Sequence, residues 1–269
     1  MAKIFDERLD PLTDGQGDRQ FVTALARGLE VLRAFEPDDG PLGNQEIADR
    51  TGLPRPTVSR LTHTLTVLGY LEYHPRQAKY ALGAAVLALG LACRSAIAVR
   101  EAARPLMRAA ADALDATVAL AARDRLSMIY LELHHGPSTA ALRLDVGARV
   151  PVERSAIGMA YLYALPKRER DVLLEALKRR APADWHVLCA RLDQAFEEME
   201  RDGFCVVMGL YDRSVHAVGV PLPGDAGENV HALGASAPAA QFSEARLRAE
   251  AGPKLVHLAA ETLRARQAR

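Results

Sequence analysis

Cysteine is scarce in this chain: Cys93, Cys189 and Cys205 are the only three in 269 residues, and they stand far apart. With an odd count, no CxxC and no Cys/His ligand spacing, a disulfide scaffold or a zinc module is excluded, and reduced, buried thiols are expected. Long apolar runs are missing too. The longest candidate, from Tyr80 to Ala92, is interrupted by glycine and too short to cross a bilayer. The opening MAKIFDERLDPLTDGQGDRQ is polar and acidic, so no signal peptide is read there and a cytoplasmic location is expected. Net charge is absent, with 34 Lys+Arg against 34 Asp+Glu, which excludes a wholly basic nucleic-acid coat. Only 15 prolines and 19 glycines occur, too few for a mainly disordered chain. The length suggests two domains.

The neutrality hides a segregation. Residues 1–49 hold eleven acids and five bases, whereas residues 50–94 hold six bases and the single acid Glu72. Residues 1–20 read as a flexible arm. FVTALARGLEVLRAF then places Val22, Leu25, Leu29 and Leu32 on one helical stripe, ending at the turn Pro37–Pro41. Asn44 is the expected N-cap of a short helix that stops at Gly52. A third helix opens at Leu53–Pro54, with Val58, Leu61, Leu65 and Leu68 inward. Its other face shows Arg55, Thr57, Ser59, Arg60, Thr62, His63 and Thr66, basic and hydroxylic. Two helices around a glycine turn, the second cationic outside, suit major-groove reading, because arginine can fork to guanine and hydroxyls reach bases or phosphates. YLEYH–PRQAK–YAL follows as a β-hairpin wing whose Arg76 and Lys79 can neutralise phosphates. Arg55, Thr57, Ser59, Arg60, His63, Arg76 and Lys79 are therefore the expected DNA contacts, on double-stranded operator DNA.

Ala84–Ile97 is apolar nearly all round, so as a helix it needs partners on more than one side; a second copy of the same helix supplies them, and burial within one chain is the alternative. Beyond Arg100, strands and helices mix. Helix 101–114 is expected to turn Ala102, Leu106, Ala109, Ala110 and Ala113 inward. Strands follow at 117–122 and 127–133, helices at 155–165, 167–179 and 192–201, and three strands in CVVMGL, VHAVGVPL and VHALGASA. PGDAGEN is a hairpin loop and Ser243 caps a final helix. Without βαβ alternation or GxGxxG, this is an α+β domain. Gly234-Ala-Ser236-Ala-Pro238 approaches a nucleophile elbow, but Pro238 replaces the second glycine and the run ends a strand. His134 and His135 point to opposite faces of a strand and cannot share a metal. No catalytic residue, metal or cofactor is expected.

RGLEVLRAF, QEIADRTGLPRPTVSRLTHTLTVLGYLEY and KYALGAAVLALG closely resemble the IclR family of bacterial transcription regulators. The resemblance implies an α+β chain: the arm at 1–20, a winged helix-turn-helix at 21–82, a linker and dimerisation helix at 83–99, and a GAF-like effector domain at 100–269. It also implies a homodimer, often paired into tetramers, that represses or activates nearby catabolic genes. GARVPVERSAIGMA is similar to the family run GxRxPLHATALGKA, which puts Val150, Ala156 and Ile157 at effector contacts. VHAVGVP puts Ala217, with His216 beside it, where relatives often carry Cys or Ser; ALGASAP does the same for Gly234 and Ser236. Glu153, Arg154 and Met159 depart from the pattern, as does the run Cys205–Met208, which points to a more apolar pocket.

From the residues themselves, Ser155 should cap the helix that starts at Ala156, leaving the N–H groups of Ala156, Ile157 and Gly158 turned into the pocket to hold an anion. Met128, Tyr130, Val150 and Val207 would form apolar walls, and His216 would add charge if it faced inward. Arg154 either folds over the site or points to solvent. The expected effector is a small organic acid with an apolar or aromatic body. The expected protein is a transcriptional regulator; an enzyme with a borrowed DNA-binding module, hydrolase-like in its second half, and a ligand-blind structural DNA-binding protein are the alternatives.

Overall fold

The computed structural model describes residues 21–37, 39–138, 144–224 and 229–267. The chain divides between Ala96 and Ile97 into two units. In the first, helices α1 (Thr23–Arg33), α2 (Asn44–Thr51) and α3 (Arg55–Val67) precede a hairpin of β1 (Leu71–His74) and β2 (Lys79–Leu82), then α4 (Ala84–Ser95). Val31, Ala34, Leu42, Ile47, Ala48, Val58 and Leu71 form its core. The tight link between α2 and α3 relies on Gly52, whose φ of 68° closes α2 in the left-handed region. Two prolines frame the start of α3, Pro54 at its N-cap and Pro56 in its first turn, where a missing N–H costs no helical bond. Leu42 exchanges both backbone hydrogen bonds with Tyr80 at 2.8 Å, so the α1–α2 loop adds a bridge beside the hairpin.

Three expectations for this unit are corrected. Helix α1 buries Val31 and leaves Val22, Leu25 and Leu29 exposed, because it is apolar on two faces and the core takes the other one. The N-cap of α2 is Gly43, not Asn44: the Glu46 carboxylate accepts from the Gly43 N–H at 2.7 Å, while Asn44 Oδ1 accepts from Thr62 Oγ1 at 3.0 Å. Thr62 is fully buried by that bond and leaves the outer face of α3.

The second unit begins with α5 (Ala98–Leu114), so residues 98 and 99, expected in the linker, belong to this helix. Strands β3 (Thr117–Asp124), β4 (Ser127–His134), β5 (Arg149–Pro151), β6 (Cys205–Met208), β7 (Val215–Leu222) and β8 (His231–Pro238) form one sheet in the order β5-β4-β3-β8-β7-β6, antiparallel throughout. Helices α6 (Ala156–Ala164), α7 (Lys167–Arg180) and α8 (Trp185–Asp202) lie between β5 and β6 in sequence; α9 (Glu244–Arg246), a π turn at Leu247–Ala251 and α10 (Gly252–Gln267) close the chain. Residues 225–228 of the expected hairpin loop lie outside the described residues.

Strand alternation sorts the sheet's side chains into two cores. Val118, Leu120, Val206, Val218, Val220, Leu233 and Ala235 pack with α5 and α10. Ala119, Ala121, Met128, Tyr130, Cys205, Val207 and Ala232 face α6, α7 and α8 on the other side. Within α5 the inward residues are Val99, Ala102, Ala103, Met107, Ala110, Ala111 and Leu114; Ala109 and Ala113, expected inside, are exposed because alanine carries too little apolar area to decide which face turns in.

Candidate functional site

On α3, Arg55, Ser59 and His63 follow one another at i, i+4 and i+8 and make one exposed line, with Arg60 exposed beside it. Thr57 is half-buried, off that line. The helix carries no acidic residue. Arg76 sits exposed in the hairpin turn, where Tyr73 and Tyr80 brace the strands with ring centroids 5.0 Å apart. Lys79 differs from expectation: it opens β2 rather than capping the turn, and its Nζ lies 3.0 Å from Glu46 Oε2, drawn by the carboxylate that also caps α2. The Gly43 N–H and then the Lys79 ammonium hold the Glu46 carboxyl below its usual range. This surface offers a cationic helix face and a cationic turn, the pairing that groove binding requires.

In the second unit, the start of α6 crosses the sheet over a floor of small residues. A Cβ on Gly219 would stand 2.1 Å from the Ala156 carbonyl oxygen, and one on Gly158 would stand 2.2 Å from that of Val152, so both glycines are fixed by backbone approach. Beside this crossing lies a cavity of about 40 Å³, bordered by Ala119, Tyr130, Ser155, Ala156, Ile157, Ala217 and Ser236, with Val218, Gly234 and Ala235 at the sheet. Ser155 Oγ donates to the Pro151 carbonyl at 2.6 Å and accepts from the Gly158 N–H at 3.2 Å. That cap takes only the Gly158 N–H, and Ala156 and Ile157, the first residues of α6 at the positive end of its dipole, border the cavity. Burial raises the Tyr130 hydroxyl well above its ordinary range, so it stays protonated. Burial likewise pushes the Cys205 thiol up to about 12, and the S–H points at the Ala156 carbonyl, 3.6 Å away, which makes it an inert packing group. Among the described residues no group of three His, Cys, Asp or Glu could hold a metal ion. Ser236 lies within β8 rather than on a strand-to-helix turn, so the hydrolase reading has no elbow to stand on.

Residues 24–75 match the model of the IclR helix-turn-helix domain, and residues 92–264 match that of the bacterial transcriptional regulator IclR C-terminal domain. The chain belongs to the IclR family. It is 36% identical to the HTH-type transcriptional regulator TsaQ1/TsaQ2 of Comamonas testosteroni over 87% of this chain and 84% of that one. It is 30% identical to the Pca regulon regulatory protein of Pseudomonas putida over 82% and 76%. Among solved structures, an IclR family transcriptional regulator from Brucella abortus shares 44% identity and a TM-score of 0.85, covering 92% of this chain and 94% of that chain. The protein is thus a DNA-binding transcriptional regulator of IclR type and not an enzyme, and its α+β architecture is that of the family. Among the described residues no helix is long and apolar enough to span a membrane.

Within this IclR fold, the structure brings Tyr130, Ala156, Ile157, Ala217, Gly234 and Ser236 together around the cavity. Five other residues expected there sit elsewhere. Gly158 gives its N–H to the Ser155 cap and presses against Val152. His216 is one residue from Ala217 and therefore on the opposite sheet face, where Nδ1 donates to the Phe242 carbonyl at 2.7 Å. Met128, Val150 and Val207 share the correct face but are consumed by packing in the core beneath α6 and its neighbours. Arg154 folds neither over the cavity nor free into solvent: its Nη2 pairs with Asp184 Oδ2 at 2.6 Å, while Arg180 takes the buried Glu153 at 2.5 Å. Sequence reading missed Ala119, Val218 and Ala235, whose only signal is the strand order β3-β8-β7, invisible before folding.

Proposed function

We propose that this regulator binds operator DNA as a homodimer or dimer of dimers, reads it with α3 and the hairpin, and changes its affinity when a small carboxylic acid enters the cavity. The observation that carries the effector reading is the start of α6 at that cavity, where the Ser155 cap takes only the Gly158 N–H and the backbone N–H groups of Ala156 and Ile157, with the helix dipole, favour an anion. Relatives fit it. One solved IclR homolog, from Microbacterium hydrocarbonoxydans, is a complex with 4-hydroxybenzoate; at 22% identity and a TM-score of 0.69 it shares the fold. The cavity as it stands has room for about three water molecules. An acid with a larger body must therefore open it, and a ligand that favours the open form shifts the protein towards it. Control of neighbouring catabolic genes follows the same reading. The ligand-blind alternative leaves the cavity and the helix start beside it without a role.

Fluorescence polarisation on the protein's own promoter DNA, with and without organic acids, tests the proposal. An acid should change the DNA affinity, and Ala156→Asp should abolish that change while leaving binding without acid intact, because a like charge then faces the anion. Arg55→Ala and Arg60→Ala should each cost about 1–3 kcal/mol on operator and relax specificity, whereas Arg76→Ala should weaken all sequences alike and lower the salt slope by about one unit. Response only to cations or uncharged ligands defeats the acid reading. Parent-like binding by both arginine variants defeats the docking mode.

A further inference from the structure

Strand β4 carries an extra residue. Leu120 of β3 pairs with Glu132 and Ala121 with Tyr130, so the register passes over Leu131 and the strand bulges there. In a regular strand Tyr130 and Glu132, two residues apart, would share a face. The bulge parts them. Tyr130 turns with Ala121 towards α6 and borders the cavity. Glu132 turns with Leu120 towards α5, where Arg100 Nε holds its carboxylate at 2.6 Å. A buried negative charge is thereby taken off the cavity face, and a phenol is left on it. The Tyr130 backbone is fixed on its other edge, giving its N–H to the Ala148 carbonyl at 3.0 Å and accepting from the Gly147 N–H at 2.8 Å.

No cation is at hand to meet an acid there. Among the described residues that border the cavity none has a charged side chain. The arginines nearest the start of α6 are already engaged, Arg154 by Asp184 and Arg180 by Glu153. Tyr130, by contrast, is only 8% exposed, and its hydroxyl makes no hydrogen bond among the described residues. A buried hydroxyl without a partner costs stability, and an acceptor entering the cavity returns it. Because burial keeps this phenol protonated, it meets an anion as a donor. A carboxylate gains most from it, since a hydrogen bond to an ionised group is about twice as strong as one between neutral groups.

Resting on the acid reading above, we infer that Tyr130 stands in for the missing cation: its hydroxyl donates to the effector's carboxylate beside the Ala156 and Ile157 N–H groups, and the effector is an acid of a single negative charge. Three dipoles disperse one charge and leave none over for a second. A diacid would bring a further carboxylate out of water with no cation to pair it, which is expensive. A neutral amide of the same shape escapes that cost but draws less from the phenol and from the helix dipole.

Calorimetric titration of the full chain at neutral pH with butyrate, succinate and butyramide compares one, two and no negative charges on the same four-carbon body. The parent should bind butyrate about tenfold more tightly than either of the others. Tyr130→Phe keeps the ring and removes the donor. It should weaken butyrate about tenfold, the worth of a hydrogen bond to a charged group, and butyramide by no more than about threefold. A merely structural role would weaken both by the same factor. Equal losses, or no loss, overturn the part given to Tyr130, and succinate bound as tightly as butyrate overturns the single charge; either result leaves the acid reading standing. Butyramide bound by the parent as tightly as butyrate, or binding of none of the probes, overturns both. Should Tyr130→Phe not fold, the parent still decides: in carbon NMR the Tyr130 Cζ resonance should move further with butyrate than with butyramide, and an equal or absent shift overturns the inference.

Discussion

The two units treat apolar surface in opposite ways. The first leaves Leu87, Leu89 and Leu91 of α4 between 53% and 65% exposed, and Val22, Leu25 and Leu29 of α1 between 51% and 62%; α4 buries no residue at all. The second builds two extensive cores on the faces of one sheet and leaves few large apolar side chains outside. Contiguous exposed apolar faces on this scale mark association sites rather than finished surface. The second unit has what it needs for its own stability, whereas the first is shaped for something else to complete it. In the homodimer proposed above, α4 of one protomer would offer α4 of its partner the same surface, which meets the need symmetrically.

Core damage in the second unit breaks or supports this contrast most strongly. Phe242 is fully buried in the core beside α5 and α10, so Phe242→Ala should cost about 3–5 kcal/mol. Urea unfolding should show that loss to the same extent at every protein concentration. A loss that grows on dilution would mean the second unit too depends on association. Next in size, Leu87→Glu combined with Leu91→Glu places charge on the exposed face of α4. If two copies pair there, association should weaken by about 3 kcal/mol or more, because a charge buried without a partner is expensive. Sedimentation should show a parent dimer or larger and a dissociating variant. A parent that sediments as a monomer at micromolar concentration removes the dimer from the proposal.

The contrast also explains what could be read beforehand. Hydrophobic period finds a helix but does not say which face is buried when both are apolar. Hence α1 was expected to bury Val22, Leu25 and Leu29 and instead buries Val31. In α3 a hydroxyl looked like outer-face chemistry until Asn44 on α2 supplied Thr62 with a partner. The basic line of Arg55, Ser59 and His63 was legible because charge and helical spacing suffice to place it. The effector cavity was only half legible. Alternation alone could have shown that His216 and Ala217 face opposite ways. The row of Ala119, Gly234 and Gly219 across the sheet depends on β3, β8 and β7 becoming neighbours, and contacts so distant in sequence leave no local pattern.

The smallest expected effect sharpens the same comparison through charge. In the first unit the ion pairs Lys79–Glu46 and Arg50–Asp39 lie at least partly in solvent. In the second, Glu132 is 3% exposed and pairs with two cations, Arg100 Nε at 2.6 Å and Arg104 Nε at 3.5 Å, with the His134 ring Nε2 3.2 Å away. Burial lowers the His134 pKa; Glu132 opposes that shift, while Arg104 and Arg108 on α5 add to it. The unfolded chain therefore takes up this proton first as the pH falls. Above the unfolded histidine value of about 6.5 both states are neutral at His134 and the group contributes no pH dependence. Between that value and the lower folded one, unfolding is accompanied by proton uptake, so stability falls as the pH drops, and the loss is complete once the folded ring is also charged. His134→Gln keeps a polar side chain on β4 but cannot titrate. The fall in urea midpoint between pH 7.5 and pH 5.5 should be smaller in this variant than in the parent, and the difference should appear in the unfolding of the second unit alone. Identical pH profiles for parent and variant would show that His134 is not held neutral by its surroundings.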